Sequence, residues 1–367
     1  MSTTNQPTNQ PTNQPTNQPT QRLEYIDAMR GFTMLLVVYS HIMYFGYGIS
    51  DFSEINSFNS LLFQFRMPLF FFVSGFVLYK ANRIWDLKNS AIFIAKKFKV
   101  QIISTLLIFL LYCYIFNLDI IPGLISDTRN GYWFTITLFE YYIGYIIISI
   151  ILKKQKSYIY DSLVIIIGLI IFIATINPNI VKSFLGENST ILDIIGYSKL
   201  NYFIFFLFGI ITKRHFEKFI DVINNPIIIG ITIILFFILS FIYLKNGSFG
   251  SYIFNLPYLI YVGIAGIIVT FSVFYKYQDS FTKETKIGRV LQYIGKRTLD
   301  IYLLHYFFLP RNLQMVGEWF TKNINPTLEF FVSLTLAAMI IALCLVVSNI
   351  IRISPFLANW LFGVKQK

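Results

Sequence analysis

Apolar side chains along this chain come in blocks of about twenty, divided by short connections that carry most of the charge. A block of that length crosses a bilayer core as a helix, whereas the inside-out alternation of a membrane barrel is missing. The pattern predicts an all-α, polytopic membrane helix bundle of about ten transmembrane helices. The spans fall at roughly 31–48, 60–79, 100–117, 132–152, 161–177, 200–212, 226–244, 256–275, 292–310 and 328–351. Ahead of them, residues 4–19 are four copies of Thr-Asn-Gln-Pro. A proline at every fourth position and no apolar side chain preclude a packed element. The chain therefore divides into a disordered tail, 1–22, and a membrane domain, 23–367. The tail has neither the basic start nor the apolar core of a signal peptide.

Composition supports this class: 55% of residues are hydrophobic and 13% charged, too little charge to cover a soluble domain of 367 residues. The net charge of +12 would point a soluble protein toward nucleic acid. Here the positions of the charges explain it instead. With the N-terminus inside, Lys and Arg crowd alternate connections, including Lys80 to Lys99, Lys153 to Lys156 and Lys276 to Arg297. The opposite connections hold only Arg129, Lys182, Lys199, Lys245, Arg311 and Lys322. Cytoplasmic loops are the ones enriched in such residues, so both termini are expected in the cytoplasm, and no nucleic-acid partner is expected. Cys113 and Cys344 lie within apolar blocks, with neither disulfide nor metal-ligand spacing, and no metal site is expected.

Ionisable groups inside hydrocarbon are costly unless paired or hydrated, so each is a candidate for function. The first span holds Asp27, Arg30 and His41, the second Arg66, the fourth Glu140, and the ninth Asp300 and His305. At 1.5 Å per residue, His41 stands ~15 Å, Glu140 ~18 Å and Arg66 ~20 Å above the inner boundary. Three helices thus bring ionisable groups to one layer near the midplane, which suggests a polar cavity. Each residue also has a plainer reading. Arg30 and Asp27 fit an interfacial pair, His41 an interhelical hydrogen bond, Glu140 with Arg66 a structural ion pair, and His305 a core histidine.

Ten residues separate Arg30 from His41, in a segment with a D-x-x-R-G start, and Phe65–Phe76 reads FRMPLFFFVSGF. Trp133-Phe134 opens the fourth span, and IYLLH ends at His305. Together these segments resemble the acyltransferase 3 family of membrane O-acyltransferases, from about Tyr25 to Leu361. The resemblance implies a multi-pass protein of a bacterial inner or plasma membrane. It implies an acyl-CoA donor, acetyl-CoA among them, from the cytoplasm, a carbohydrate or glycolipid acceptor, membrane lipids around the bundle, and no permanently bound cofactor. One departure stands out: where the family often has R-x-x-R before the third span, this chain has Lys97 and Val100, with Lys99 displaced by one position. Lysine does not reproduce the bidentate phosphate contact of arginine.

Within that resemblance, Arg30, Lys97 and Lys99 are expected to bind the donor, with Arg83, Lys88 and Lys96 adding to a basic inner surface. His41 is the expected base, because imidazole titrates near neutrality, and an acyl-histidine relay is equally compatible. Arg66 is expected at the oxyanion, and Glu140 beside His41 or Arg66. Trp133 and His305 are expected to contact substrate. Midplane charges also suit a transporter or flippase for a lipid-linked sugar or acyl group, although no internal repeat of the transporter kind is evident. A structural component of a polysaccharide-export complex would leave the Arg30/His41 spacing unexplained.

Overall fold

The computed structural model describes residues 23–49, 58–186, 190–246 and 252–364; the tail expected to be disordered, 1–22, lies outside them. Every regular element among the described residues is helical. In chain order these are α1 (Glu24–His41), α2 (Phe58–Leu78), α3 (Leu87–Lys97), α4 (Ser104–Ile115), α5 (Ile120–Ile125) and α6 (Trp133–Ile151). There follow α7 (Ser157–Thr175), α8 (Pro178–Leu185), α9 (Thr190–Ile194), α10 (Phe203–Arg214), α11 (Phe216–Asn224) and α12 (Pro226–Asn246). The last six are α13 (Tyr252–Lys276), α14 (Lys286–Lys296), α15 (Thr298–Phe308), α16 (Gln314–Lys322), α17 (Pro326–Ile351) and α18 (Pro355–Phe362).

Seven helical stretches among the described residues are long and apolar enough to cross a membrane: Phe58–Leu78, Leu87–Ile115, Trp133–Ile151, Ser157–Thr175, Pro226–Asn246, Asn255–Lys276 and Pro326–Ile351. They coincide with seven of the ten expected spans. The other three expected spans are helical too, but shorter or more polar. The first is α1, which carries Glu24, Asp27 and Arg30 and continues as a π-helical turn, Ile42–Gly46. The sixth is α10, 12 residues long and preceded by a 3-10 segment, Tyr197–Tyr202. The ninth is split into amphipathic α14 and the 11-residue α15 at Arg297.

Burial explains the difference. A helix facing lipid must be apolar all round, since hydrocarbon offers its side chains no polar partner. α12 has a mean hydropathy of 2.9 and buries only Phe236 and Ser240 among its side chains. By contrast, α1 buries Asp27, Thr33 and Ser40 along with its apolar residues, and packs against α2, α14, α15 and α17. The polar helices form the middle of the bundle, and long apolar helices such as α7, α12 and α17 surround them.

Two close crossings fix the central pair. Gly75 of α2 lies on the carbonyl of Phe206, and Gly209 of α10 lies on the carbonyl of Phe72, so neither position has room for a Cβ. Gly31 of α1 and Gly295 of α14 meet in the same reciprocal way, on the carbonyls of Leu291 and Asp27. Small residues bring backbones into direct contact where lipid supplies no hydrophobic force between helices. α2 itself runs through Pro68 without interruption, although the proline ring has no N–H to give the carbonyl of Gln64.

Candidate active site

His41 is the last α-helical residue of α1, immediately before the π turn Ile42–Gly46. A π turn widens the helix and redirects the side chains beside it. His41 Nδ1 lies 2.8 Å from Nε2 of His305 on α15, with the two rings nearly parallel at 6°. His305 is fully buried, and its Nδ1 lies 3.0 Å from the carbonyl oxygen of Ile301 and 2.8 Å from that of Tyr302. Carbonyl oxygens only accept, so His305 Nδ1 carries a proton. With both rings neutral, His305 Nε2 then has a lone pair, His41 Nδ1 donates to it, and His41 Nε2 is left unprotonated. No hydrogen bond engages that nitrogen among the described residues.

His41 lines a cavity of about 200 Å³ together with Arg66 and Phe70 of α2, Trp133 of α6, Tyr202, and Tyr306 of α15. The Arg66 side chain is buried, and its Nε and Nη1 have no hydrogen-bond partner among the described residues. Its one face covers the Phe63 ring, 4.6 Å from the centroid. A buried guanidinium with open donors is costly unless a ligand completes it. Trp133 and Tyr202 stack at 23°, and Lys199 at the rim lies 5.4 Å from the Trp133 ring centre. Lys199 is held by Asp127 at 2.6 Å. Burial pushes the Asp127 carboxyl up, but hydrogen bonds from Lys199 and Ser198 and the charges of Lys199 and Lys182 outweigh it and hold the group below the usual carboxylate range.

A second cavity, about 350 Å³, is basic: Arg30, Arg83 and Lys97 line it, along with Ser74, Val100 and Thr298. Arg30 donates to Thr298 Oγ1 at 3.1 Å and lies 3.8 Å from Asp27. Lys97 stands over the Tyr142 ring at 4.7 Å and directly precedes another π-helical stretch, Phe98–Ile103. Arg83 also lines two further cavities, in which Lys80, Lys96, Lys153 and Arg214 take part. Basic residues from several connections thus gather round one mouth.

Of the residues singled out in the sequence, His41, Arg66 and Trp133 meet in the first cavity, and His305 stands directly behind His41. Arg30 and Lys97 share the second, together with Val100, which occupies the second position of the R-x-x-R pattern. Lys99 points elsewhere: its ammonium donates to Asn359 and covers the Trp360 ring at 4.5 Å, tying the chain to α18. Glu140 borders Gly196 together with Arg129 and lines neither cavity. Seven residues beyond Trp133, it shares that residue's face of α6 but lies two turns further along, against Gly196 and Arg129 rather than His41 or Arg66. Asp300 is a brace, accepting from Arg352 at 2.7 and 2.9 Å and from Ser348.

Tyr302 and Tyr306 were not singled out, although they flank His305 at a four-residue spacing that puts both on one helix face. Both hydroxyls donate to the Gly131 carbonyl at 2.9 Å. Lys199 and Tyr202 lie in the 3-10 segment before α10, which is too short for a periodicity to reveal them. Glu329, fully buried in the first turn of α17, accepts from Tyr39 at 3.0 and 3.1 Å and from Ser333 at 2.9 Å. It joins α17 to α1.

A neutral imidazole with a free Nε2, set in one cavity with a guanidinium whose Nε and Nη1 have no hydrogen-bond partner among the described residues, can take a proton and stabilise a developing negative charge. The sequence model of a family described as an acyltransferase domain matches residues 23–347, nearly the whole chain. No curated protein and no solved structure matches it.

Proposed function

This chain belongs to the acyltransferase family whose domain it matches over residues 23–347, and from that premise we propose that it moves an acyl group from a cytoplasmic acyl-CoA, acetyl-CoA first among them, to a hydroxyl of a cell-surface carbohydrate or glycolipid. The observation that carries this reading is the hydrogen-bonded pair His41–His305, which leaves His41 Nε2 free beside Arg66. In the reaction, the acceptor hydroxyl attacks the thioester carbonyl while its proton passes to His41 Nε2. The carbonyl oxygen becomes an oxyanion, for which the Arg66 guanidinium has open N–H donors. Collapse of the intermediate breaks the carbon–sulfur bond. The leaving thiolate takes the proton from the His41 imidazolium, and an ester and a free thiol result.

The basic cavity supports a polyanionic donor, with Arg30, Arg83 and Lys97 as the charges that would meet its phosphates. Its gathering of Lys and Arg from connections on one end supports that end as the cytoplasmic one. Trp133 and Tyr202 offer flat apolar faces of the kind on which a sugar ring stacks, and Lys199 stands at the rim. The test is transfer of labelled acetyl from acetyl-CoA to a polysaccharide by the full chain in nanodiscs, with release of free thiol followed in parallel. His41→Ala is expected to lower both by at least about 10²-fold, without altering insertion. Full activity of that variant would remove His41 from the chemistry. A wild-type protein that carries a lipid-linked sugar across vesicles but never releases thiol would be a transporter.

A further inference from the structure

The two cavities stand back to back, and the same three side chains, Phe70, Phe134 and Tyr302, line both. Three helices lay out this arrangement by simple periodicity. On α2, Arg66 faces the histidine cavity, Phe70 the partition and Ser74 the basic cavity. On α15 the same order is Tyr306, Tyr302, Thr298. Steps of four residues keep one helix face and advance about 6 Å each, so the partition is a single aromatic layer. On α1, His41 and Arg30 lie on either side of it, eleven residues or about 16 Å apart. A donor whose phosphates rest near Arg30 must therefore push its thioester end through that layer to reach His41.

The three aromatic residues are not equally free to move. Tyr302 is pinned, its hydroxyl accepting from the Phe134 N–H at 3.0 Å and donating to the Gly131 carbonyl at 2.9 Å. Phe134 is buried and packs on Phe71 at 4.9 Å and on Tyr302 at 5.6 Å. Phe70 is half-buried, and its ring meets one aromatic neighbour among the described residues, the edge of Phe134 at 4.5 Å. A phenyl ring with open space on both sides can turn about χ1 without breaking a hydrogen bond. We propose that Phe70 is the gate between the chambers and sets the size of the acyl group that reaches His41. The proposal rests on the acyl-transfer reading for its consequence, but the gate itself is a property of the partition.

Two experiments on the full chain in oriented vesicles separate these. In the first, Val37→Cys places a thiol on the wall of the histidine cavity, and a membrane-impermeant thiol reagent is added only on the basic side. Mass analysis of residue 37 is expected to show at least about ten times faster labelling when Phe70→Ala is also present. Equal rates with and without that change overturn the gate. In the second, transfer from acetyl-CoA and hexanoyl-CoA is compared. Phe70→Ala is expected to raise the hexanoyl-to-acetyl ratio at least tenfold, the order that a few methylenes decide in a fitted pocket, and Phe70→Trp to lower it. An unchanged ratio in both variants overturns Phe70 as the selector. Should Phe70→Ala fail to insert, Phe70→Leu and Phe70→Trp decide in both experiments. Inactivity of the wild type with every acyl-CoA would sink the acyl-transfer reading, while the labelling rates still judge the gate.

Discussion

At the scale of single residues, two backbone carbonyls set the arrangement of the candidate site. The carbonyls of Ile301 and Tyr302 orient His305, His305 orients His41, and the free nitrogen of His41 follows. In the proposed reaction His305 is therefore a positioning residue, acting through His41. Replacing it with Phe removes the acceptor for His41 Nδ1 and lets that ring adopt the other tautomer. The expected outcome is a fall in kcat of about 10²-fold with KM for acceptor little changed. His305→Gln offers an amide oxygen in place of Nε2 and should recover part of that loss, whereas a purely structural role would make the two variants alike. Arg66 has a different signature. Arg66→Met should cost about 10²–10³ in kcat, the range for one oxyanion donor, and Arg66→Lys should recover charge but not the paired N–H geometry. Steady-state kinetics on both variants checks this. At this scale the sequence named His41, Arg66 and Arg30 because polar groups in apolar blocks stand out, and Trp133 through the family resemblance. It did not distinguish Glu140 from them. Depth along a helix is read from residue count, but the direction a side chain takes depends on neighbours such as Arg129 and Gly196.

At the scale of elements, the helices around the candidate site are held by contacts between backbones and by buried carboxylate braces. Gly75→Ala would drive a methyl group into the Phe206 carbonyl and force α2 from α10. A loss of about 1–3 kcal/mol is expected, read as a lower unfolding midpoint in nanodiscs. Gly230→Ala on α12 is the control, since nothing lies within 4 Å of the added carbon, and it should leave the midpoint unchanged or slightly raised. Asp300 ties α15 to α17 through Arg352, at 3% side-chain exposure against 20% for the arginine. Asp300→Ala strands that charge and should cost about 3 kcal/mol, again seen in the midpoint. One glycine crossing holds α2, which brings Arg66, and the other holds α1, which brings His41, so positioning and stability are coupled here. The sequence showed Gly75 within an apolar run and Asp300 near a helix start. Only the packed bundle shows which carbonyl and which guanidinium each one meets.

At the scale of the whole molecule, the bundle sorts its helices by what surrounds them. Apolar helices such as α7, α12 and α17 lie on the outside, and α1, α2, α6 and α15 enclose two chambers divided by an aromatic layer. The end nearer the histidine chamber carries the Lys199–Asp127 pair, which links the segment before α10 to the connection before α6. Because the folded-state carboxyl of Asp127 is held low, its stabilisation is complete above the ordinary carboxylate value and is lost as pH falls through the lower one. Asp127→Asn is thus expected to cost about 1 kcal/mol at pH 7, with the gap to wild type closing below about pH 4. Unfolding midpoints at pH 7, 5 and 3.5 test it.

The sequence by itself determined that the chain is a helical membrane bundle and marked the residues that hydrocarbon would not tolerate alone, because a lipid solvent leaves each segment few choices and makes every polar exception visible. It also carried the family, through Arg30, His41 and the stretch Phe65–Phe76. The tertiary structure decided which exceptions share a cavity, which nitrogen of His41 is free, and that Phe70, Phe134 and Tyr302 stand between the chambers. Those facts depend on rotation about each helix axis and on contacts between helices far apart in the chain. Spacing along one segment fixes the face a residue shares with its neighbours, but packing alone fixes what that face looks upon.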